Sequence, residues 1–183
     1  MRAGRGATLI ISILLLGSIL FGSGCASSGD SRVVKTGNTI QVDYTGKLET
    51  GTVFDTSIEE IAKEAGVYTE QRNYVPLTFK VGSGQLIKGF DEGVIGMKIG
   101  EEKTLTIPPE KAYGEYDEAR IQAVPLADLN LSVKPEIGQT LSSSMNRNQF
   151  KVIDVNETHV TLDSNHELAG KTLTFEIKLI SIE

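Results

Sequence analysis

One cysteine, two histidines and no tryptophan are found in a chain of 183 residues. A single thiol cannot close an internal disulfide, so a stapled secreted scaffold is excluded. His159 and His166 have no second histidine or cysteine at ligand spacing, and no metal site is expected. No G-x-S-x-G elbow occurs, and the serines gather near the N-terminus and in "SSS", which leaves nucleophilic catalysis without a candidate. The stretch "VGSGQLIKGF" fails as a phosphate-binding loop, because Gly89 follows Lys88 where serine or threonine is required. Positive charge is also short: 18 Lys and Arg stand against 24 Asp and Glu, a net charge of -6. That balance argues against nucleic acid as a partner. Nothing in the chain calls for a cofactor.

The length suits one ordinary domain, or a domain with a small insertion. Residues 1–24 form a separate object: "MRAGR" brings positive charge, "ATLIISILLLGSILF" is apolar throughout, and "GSGC" ends the run with small residues before Cys25. This is the pattern of a secretory signal peptide. The apolar run is shorter than the roughly 20 residues that span a bilayer, so an uncleaved anchor is the weaker alternative. Around Cys25 the sequence resembles a prokaryotic lipobox, with Gly22 departing from it, followed by a polar tether over residues 25–32. The expectation is a lipid on Cys25 and an extracytoplasmic protein held at the cell membrane; the alternative is a free or buried thiol. Two sequons, at Asn130 and Asn156, are compatible with export.

From Val33 onward, strands and short helices alternate. "TIQVDYTG" puts Ile40, Val42 and Tyr44 on one face of a strand. In "FDTS" an acid, Asp55, directly follows bulky Phe54 at a strand end. Ser57 stands three residues before Glu60, a capping box predicting that "IEEIAKEAG" begins as a helix there. "PLTFKVG" reads as a strand, and "GQLIKGFDEGVIGM" places Leu86, Ile87, Phe90, Val94 and Met97 at helical spacing. Thr104 to Ile107 read as a strand. "KTLTFEIKLISIE" alternates Leu173, Phe175, Ile177 and Leu179 with polar residues, the clearest strand in the chain.

The blocks "VDYTGKLETGTVFDTS", "FKVGSGQLIKGFDEGVIGMKIGEEKTLTIPPEKAYGEYD" and "LTFEIKLISIE", in that order, resemble an FKBP-type peptidyl-prolyl cis-trans isomerase. The resemblance implies an α+β fold: a twisted antiparallel sheet of about five strands wrapped on a short helix, with an apolar pocket between them. It also implies the site. Tyr44, Asp55 and Tyr113 would carry catalysis, while Phe54, Leu86, Ile87, Phe90 and Phe175 would hold the substrate. Phe90 stands at the pocket floor, where many members have tryptophan, and Leu77 stands where some have an aromatic. From local sequence alone, Asp55 also reads as a turn-starting residue before Thr56 and Ser57.

After "AYG" the family's short flap is replaced by a long insertion, similar to that of SlyD-like isomerases, whose insert-in-flap domain binds unfolded chains. Domain bounds follow from this: 33–120 with 168–183 for the isomerase, and 121–167 for a small β-rich insert. "QTLSSS", "QFKVIDV" and "THVTLDS" predict its strands, the last two joined by a turn at Asn156-Glu157. Val124, Leu126, Leu129, Met145 and Phe150 are the candidates for contact with clients, or else the insert's own core. The segment before the third core strand, "IEEIAKEAGVYTEQRNYVP", resembles the bulge of archaeal members. His166, in "NHELAG", is expected at the domain junction or the pocket rim. The expected partners are unfolded or proline-containing polypeptides and, through Cys25, the membrane; a monomer is expected. A non-catalytic binding module on the same fold is the alternative to an enzyme.

Overall fold

The computed structural model describes residues 32–129, 131, 133–142 and 148–183. The expected signal peptide and Cys25, most of the tether, Asn130 and Met145 lie outside the described residues. The elements run β1 (Thr39–Leu48), β2 (Val53–Thr56), α1 (Glu59–Glu64), β3 (Leu77–Lys80), α2 (Lys88–Gly93) and β4 (Glu102–Ile107). They continue with β5 (Ile121–Pro125), β6 (Thr140–Ser142), β7 (Gln149–Val155), β8 (His159–Asp163) and β9 (Leu173–Ile182). The whole is α+β, with antiparallel sheets and few short helices.

The first sheet is ordered β2-β1-β9-β4, with β3 paired to the first half of β1. Apolar residues at every second position explain the arrangement, since a strand sends alternate side chains to one face. Ile40, Val42 and Tyr44 of β1 and Leu173, Phe175, Ile177 and Leu179 of β9 all turn inward and are buried. Against them lies α2, whose Phe90 is buried, followed by buried Val94 and Met97. Leu86 and Ile87 precede α2 and pack on this core only in part. The six-residue helix sits close to β4, because Cβ atoms added at Gly89 and Gly93 would lie 2.3 Å from Ile107 and from Leu105 side-chain carbons. Glycine here permits the approach of helix to strand.

The predicted capping box at Ser57 does not form. The Ser57 hydroxyl donates to Asp43 Oδ1 at 2.9 Å and accepts from the Tyr44 amide at 3.0 Å, which ties β2 to β1. Ile58 is the N-cap of α1, without a side-chain cap, and its amide donates to Thr56 Oγ1 at 3.2 Å. The strand edge has taken the hydroxyl that the helix pattern offered.

The second sheet is ordered β5-β8-β7-β6 and is built from residues 121–163. Its buried centre is Val152, Val160 and Leu162. β6, β7 and β8 lie within the segments that suggested them. β5, "IQAVP", is a further strand beyond the three that the sequence predicts; it ends at a proline and, among the described residues, pairs with β8 alone, at the sheet edge where proline is tolerated.

Candidate active site

The pocket opens between α2, β2, β9 and the segment after β4, as a cavity of about 480 Å³. That volume suits a small ligand or a few residues of a peptide. Its lining includes Tyr44, Phe54, Asp55, Leu86, Ile87, Phe90, Tyr113 and Phe175, all eight of the residues that the family resemblance nominated. Leu77, Gln85, Lys88 and Ala112 complete it.

Adjacent strand residues ordinarily point to opposite faces, so the presence of both Phe54 and Asp55 in one cavity needs a cause. The β1–β2 ladder supplies it: Gly46 pairs with Asp55, and Lys47 pairs with Val53, which leaves Phe54 as the extra residue of a bulge. A bulge re-aims side chains, and here it serves the pocket with two neighbours in sequence. Gly46 makes room for the result, because a Cβ at that position would lie 2.7 Å from Phe54 Cζ and 2.9 Å from Phe175 Cε1.

The aromatic rings pack edge to face. Phe90 and Phe175 have centroids 5.1 Å apart at 88°, and Phe54 and Phe175 5.6 Å apart at 90°. Tyr44 meets Phe90 at 6.1 Å and 86°. These are favourable orientations for aromatic quadrupoles, and they fix the apolar wall without filling it.

The polar groups gather at one edge. The Tyr44 hydroxyl donates to Asp55 Oδ2 at 2.7 Å, and Arg72 Nη2 donates to the Tyr44 oxygen at 2.9 Å. Arg72 Nη1 donates to Asp55 Oδ1. Both carboxylate oxygens are thereby engaged, and the acid keeps partners at the cavity edge. Burial, then the hydrogen bond and charge of Asp55, push the Tyr44 hydroxyl up to about 12, against the opposing influence of Arg72. Tyr44 is a firm proton donor at neutral pH.

Arg72 was not foreseen from the sequence. It lies 17 residues beyond Asp55, in an exposed segment without apolar periodicity. Only the cation's distance from the acid in space reveals it.

Tyr113 stands at the rim, 40% exposed, with its ring stacked on His166 at 3.8 Å and 3°. Burial, and then the charges of Asp55 and Glu167, raise its pKa, so it too remains a hydroxyl. The Leu168 amide donates to His166 Nδ1 at 3.1 Å, which orients the imidazole beneath the tyrosine ring. Beyond it, Asp163 accepts from the Tyr116 hydroxyl at 2.8 Å and from the Asn165 amide at 2.8 Å, linking the segment after Tyr113 to the second sheet.

The other candidates lie elsewhere. Val124, Leu126, Leu129 and Phe150 are half-buried and pack on the core of the second sheet. The most exposed apolar side chains described in the insert are Val133 at 77% and Ile137 at 67%, with Leu131 and Ile153 less so. Among the described residues, no group of three or more His, Cys, Asp or Glu is placed to hold a metal ion. Nor does any described helix have the length and apolarity to cross a membrane.

An antiparallel sheet wrapped on one short helix, with an aromatic pocket rimmed by hydroxyls and a pinned carboxylate, belongs with the prolyl isomerases. The family model for FKBP-type peptidyl-prolyl cis-trans isomerases matches residues 30–180, and the chain is a member of that family and an enzyme of that class. It is similar to the short-type peptidyl-prolyl cis-trans isomerase of Methanocaldococcus jannaschii, 48% identical over 154 residues that cover 82% of this chain and 95% of the relative. The FKBP-type isomerase SlyD of Helicobacter pylori is 38% identical over 108 residues, 57% of this chain and 58% of its own. SlyD of Aeromonas hydrophila is 32% identical over 142 residues, 76% of this chain and 60% of its own.

Proposed function

We propose that this protein is a tethered folding catalyst: the pocket turns Xaa-Pro bonds between cis and trans, the inserted unit (121–167) holds unfolded client chains, and Cys25 carries a lipid outside the cytoplasmic membrane. The observation that carries the catalytic part is the convergence of Tyr44, Asp55 and Tyr113 on an aromatic cavity. No nucleophile is needed, because the barrier of about 18–20 kcal/mol comes from amide resonance.

Twisting the imide returns electron density from the carbonyl oxygen to the nitrogen, which makes the transition state less polar than the planar ground state. A pocket of Phe54, Phe90 and Phe175 that excludes water therefore favours the twisted form. Tyr113 donates a hydrogen bond to a neighbouring substrate carbonyl and fixes the chain. Asp55, held by Tyr44 and Arg72, presents a fixed charge that orients the rotating carbonyl dipole. A rate gain of about 10⁴ to 10⁶ asks for roughly 5–8 kcal/mol, within reach of shape fit, desolvation and one or two hydrogen bonds.

Client capture is supported by the exposed Leu131, Val133 and Ile137 of the insert, beside a sheet that already has its own buried centre. Holding a client there raises its concentration at the pocket. The secretory pattern of residues 1–24 and the lipobox-like surroundings of Cys25 support the membrane location. Mass spectrometry of the native N-terminus tests it: a lipid-modified Cys25 at the N-terminus is expected, and an unmodified Cys25 still preceded by Gly24 would overturn it.

The catalytic reading is tested by NMR exchange between cis and trans forms of a short Xaa-Pro peptide. Exchange well faster than the uncatalysed tens of seconds is expected. No acceleration by a protein shown to be folded would sink the reading.

A further inference from the structure

Arg72 holds the Asp55 carboxylate from a segment that has no buried residue between positions 65 and 76. An arginine side chain on such a segment gives up rotamer freedom when fixed in one place. Burial does not hold this loop, so something else must.

What holds it is a ladder of rings and cations. The Arg72 guanidinium carbon lies 5.3 Å from the centroid of the Tyr74 ring, and Tyr74 is stacked on Tyr68 at 5.4 Å and 16°. Lys63 Nζ lies over the Tyr68 ring, 4.9 Å from its centroid, and is itself bonded to Glu59 Oε1 at 2.6 Å on α1. The Thr69 amide donates to the Tyr74 hydroxyl at 3.0 Å, which closes the loop between the two rings. Each cation faces a ring within the range where the ring quadrupole attracts it.

We propose that Tyr74, backed by Tyr68, is a positioning residue for the isomerase pocket: its ring holds the Arg72 guanidinium against Asp55 and Tyr44, so that the segment between α1 and β3 sets the geometry of the catalytic edge. The proposal rests on the reading of the pocket as the isomerase site. Tyr74 does not line the cavity; it acts through Arg72. A ring in this place is specific in chemistry, because an aliphatic side chain would fill the space but offer the cation no negative face.

The test uses the full-length chain and five variants, Tyr74→Leu, Tyr74→Phe, Arg72→Ala, the Tyr74→Leu/Arg72→Ala pair and Asp55→Ala, each checked for folding by its amide NMR spectrum. Tyr74→Leu is expected to lower kcat/KM on an Xaa-Pro tetrapeptide by about threefold to tenfold, as far as Arg72→Ala does. Tyr74→Phe keeps the ring and is expected to stay within about twofold of the parent. The pair is expected to be no worse than Arg72→Ala alone, since both changes break one device. NMR of the Arg72 Nη groups supplies a readout that general loosening would not copy: slow rotation in the parent and Tyr74→Phe, fast rotation in Tyr74→Leu. Parent-like turnover with slow rotation in folded Tyr74→Leu would overturn the proposal, as would losses that multiply in the pair. Asp55→Ala separates this from the underlying reading. If Asp55→Ala loses turnover and Tyr74→Leu does not, the positioning role fails alone; if both keep turnover, the pocket reading fails and the rotation of Arg72 still decides whether Tyr74 holds it.

Discussion

At the residue scale, the pocket depends on a part-exposed acid that is held in place by two partners. Asp55 receives one bond from a neutral hydroxyl and one from a guanidinium, so removing Tyr44 leaves it oriented from one side only. Tyr44→Phe is expected to lower tetrapeptide turnover by about three- to tenfold while the amide NMR spectrum keeps the dispersion of the parent. The same bond has a pH signature. The folded pKa of Tyr44, about 12, lies above its ordinary value of 10.0. Its contribution to stability is therefore complete below pH 10 and lost as pH rises through about 12. Denaturant midpoints measured from pH 9 to pH 12 should fall in the parent and fall less in Tyr44→Phe; parallel curves would remove Tyr44 from the alkaline transition. Tyr44 was legible from strand alternation, and Phe54 and Asp55 from the family blocks. Arg72 was not, because a lone cation in an exposed loop looks the same whether it meets an acid or water.

At the element scale, two close approaches decide where the walls stand. The bulge between β1 and β2 turns Phe54 and Asp55 to one side, and Gly46 leaves the space that Phe54 and Phe175 occupy. Gly46→Ala must push those rings aside, at a cost of about 1–3 kcal/mol for overpacking. Thermal unfolding should show that loss, with turnover reduced because the wall has moved; an unchanged melting temperature and unchanged turnover would show that the rings shift freely. The helix start at Ser57 teaches a related lesson. The spacing of Ser57 and Glu60 satisfies a capping rule, yet the hydroxyl bonds Asp43 and the Tyr44 amide across the strands, and the pairing of β1 with β2 takes it. Local pattern ranks the options, and tertiary distance chooses among them.

At the scale of the whole molecule, two sheets with separate buried centres meet at a polar junction. Asp163, buried beside Tyr116 and Asn165, shows what joins them. Burial works against its charge, but the Asn165 amide, the Tyr116 hydroxyl, the Asn165 side chain and Lys151 together lower its pKa. A lowered acid stabilises the fold above its ordinary value of 3.8, and the contribution is lost as pH falls through the still lower folded value. Below pH 4 the parent should therefore lose stability faster than Asp163→Asn, and the two unfolding curves should converge; a constant gap would assign the difference to packing. Replacing residues 121 to 165 by a short linker should weaken binding to an unfolded protein far more than turnover of a tetrapeptide. Equal losses would count against a separate capture function.

Taken by itself, the sequence determined the inward faces of β1 and β9, the helix at Phe90 and three strands of the second sheet, and the family blocks nominated the residues that line the cavity. These follow from periodicity and from ordered blocks, which are properties of neighbours along the chain. Tertiary structure alone decided the partners: that Arg72 and Tyr44 share Asp55, that His166 lies flat on Tyr113, that Ser57 serves a strand and not a helix. It also put Val124, Leu126, Leu129 and Phe150 on the small sheet's core, leaving Val133 and Ile137 outside. The physical reason is that hydrogen bonds and ring contacts act over a few ångströms in space, and residues far apart in sequence come within that range only when the chain has folded.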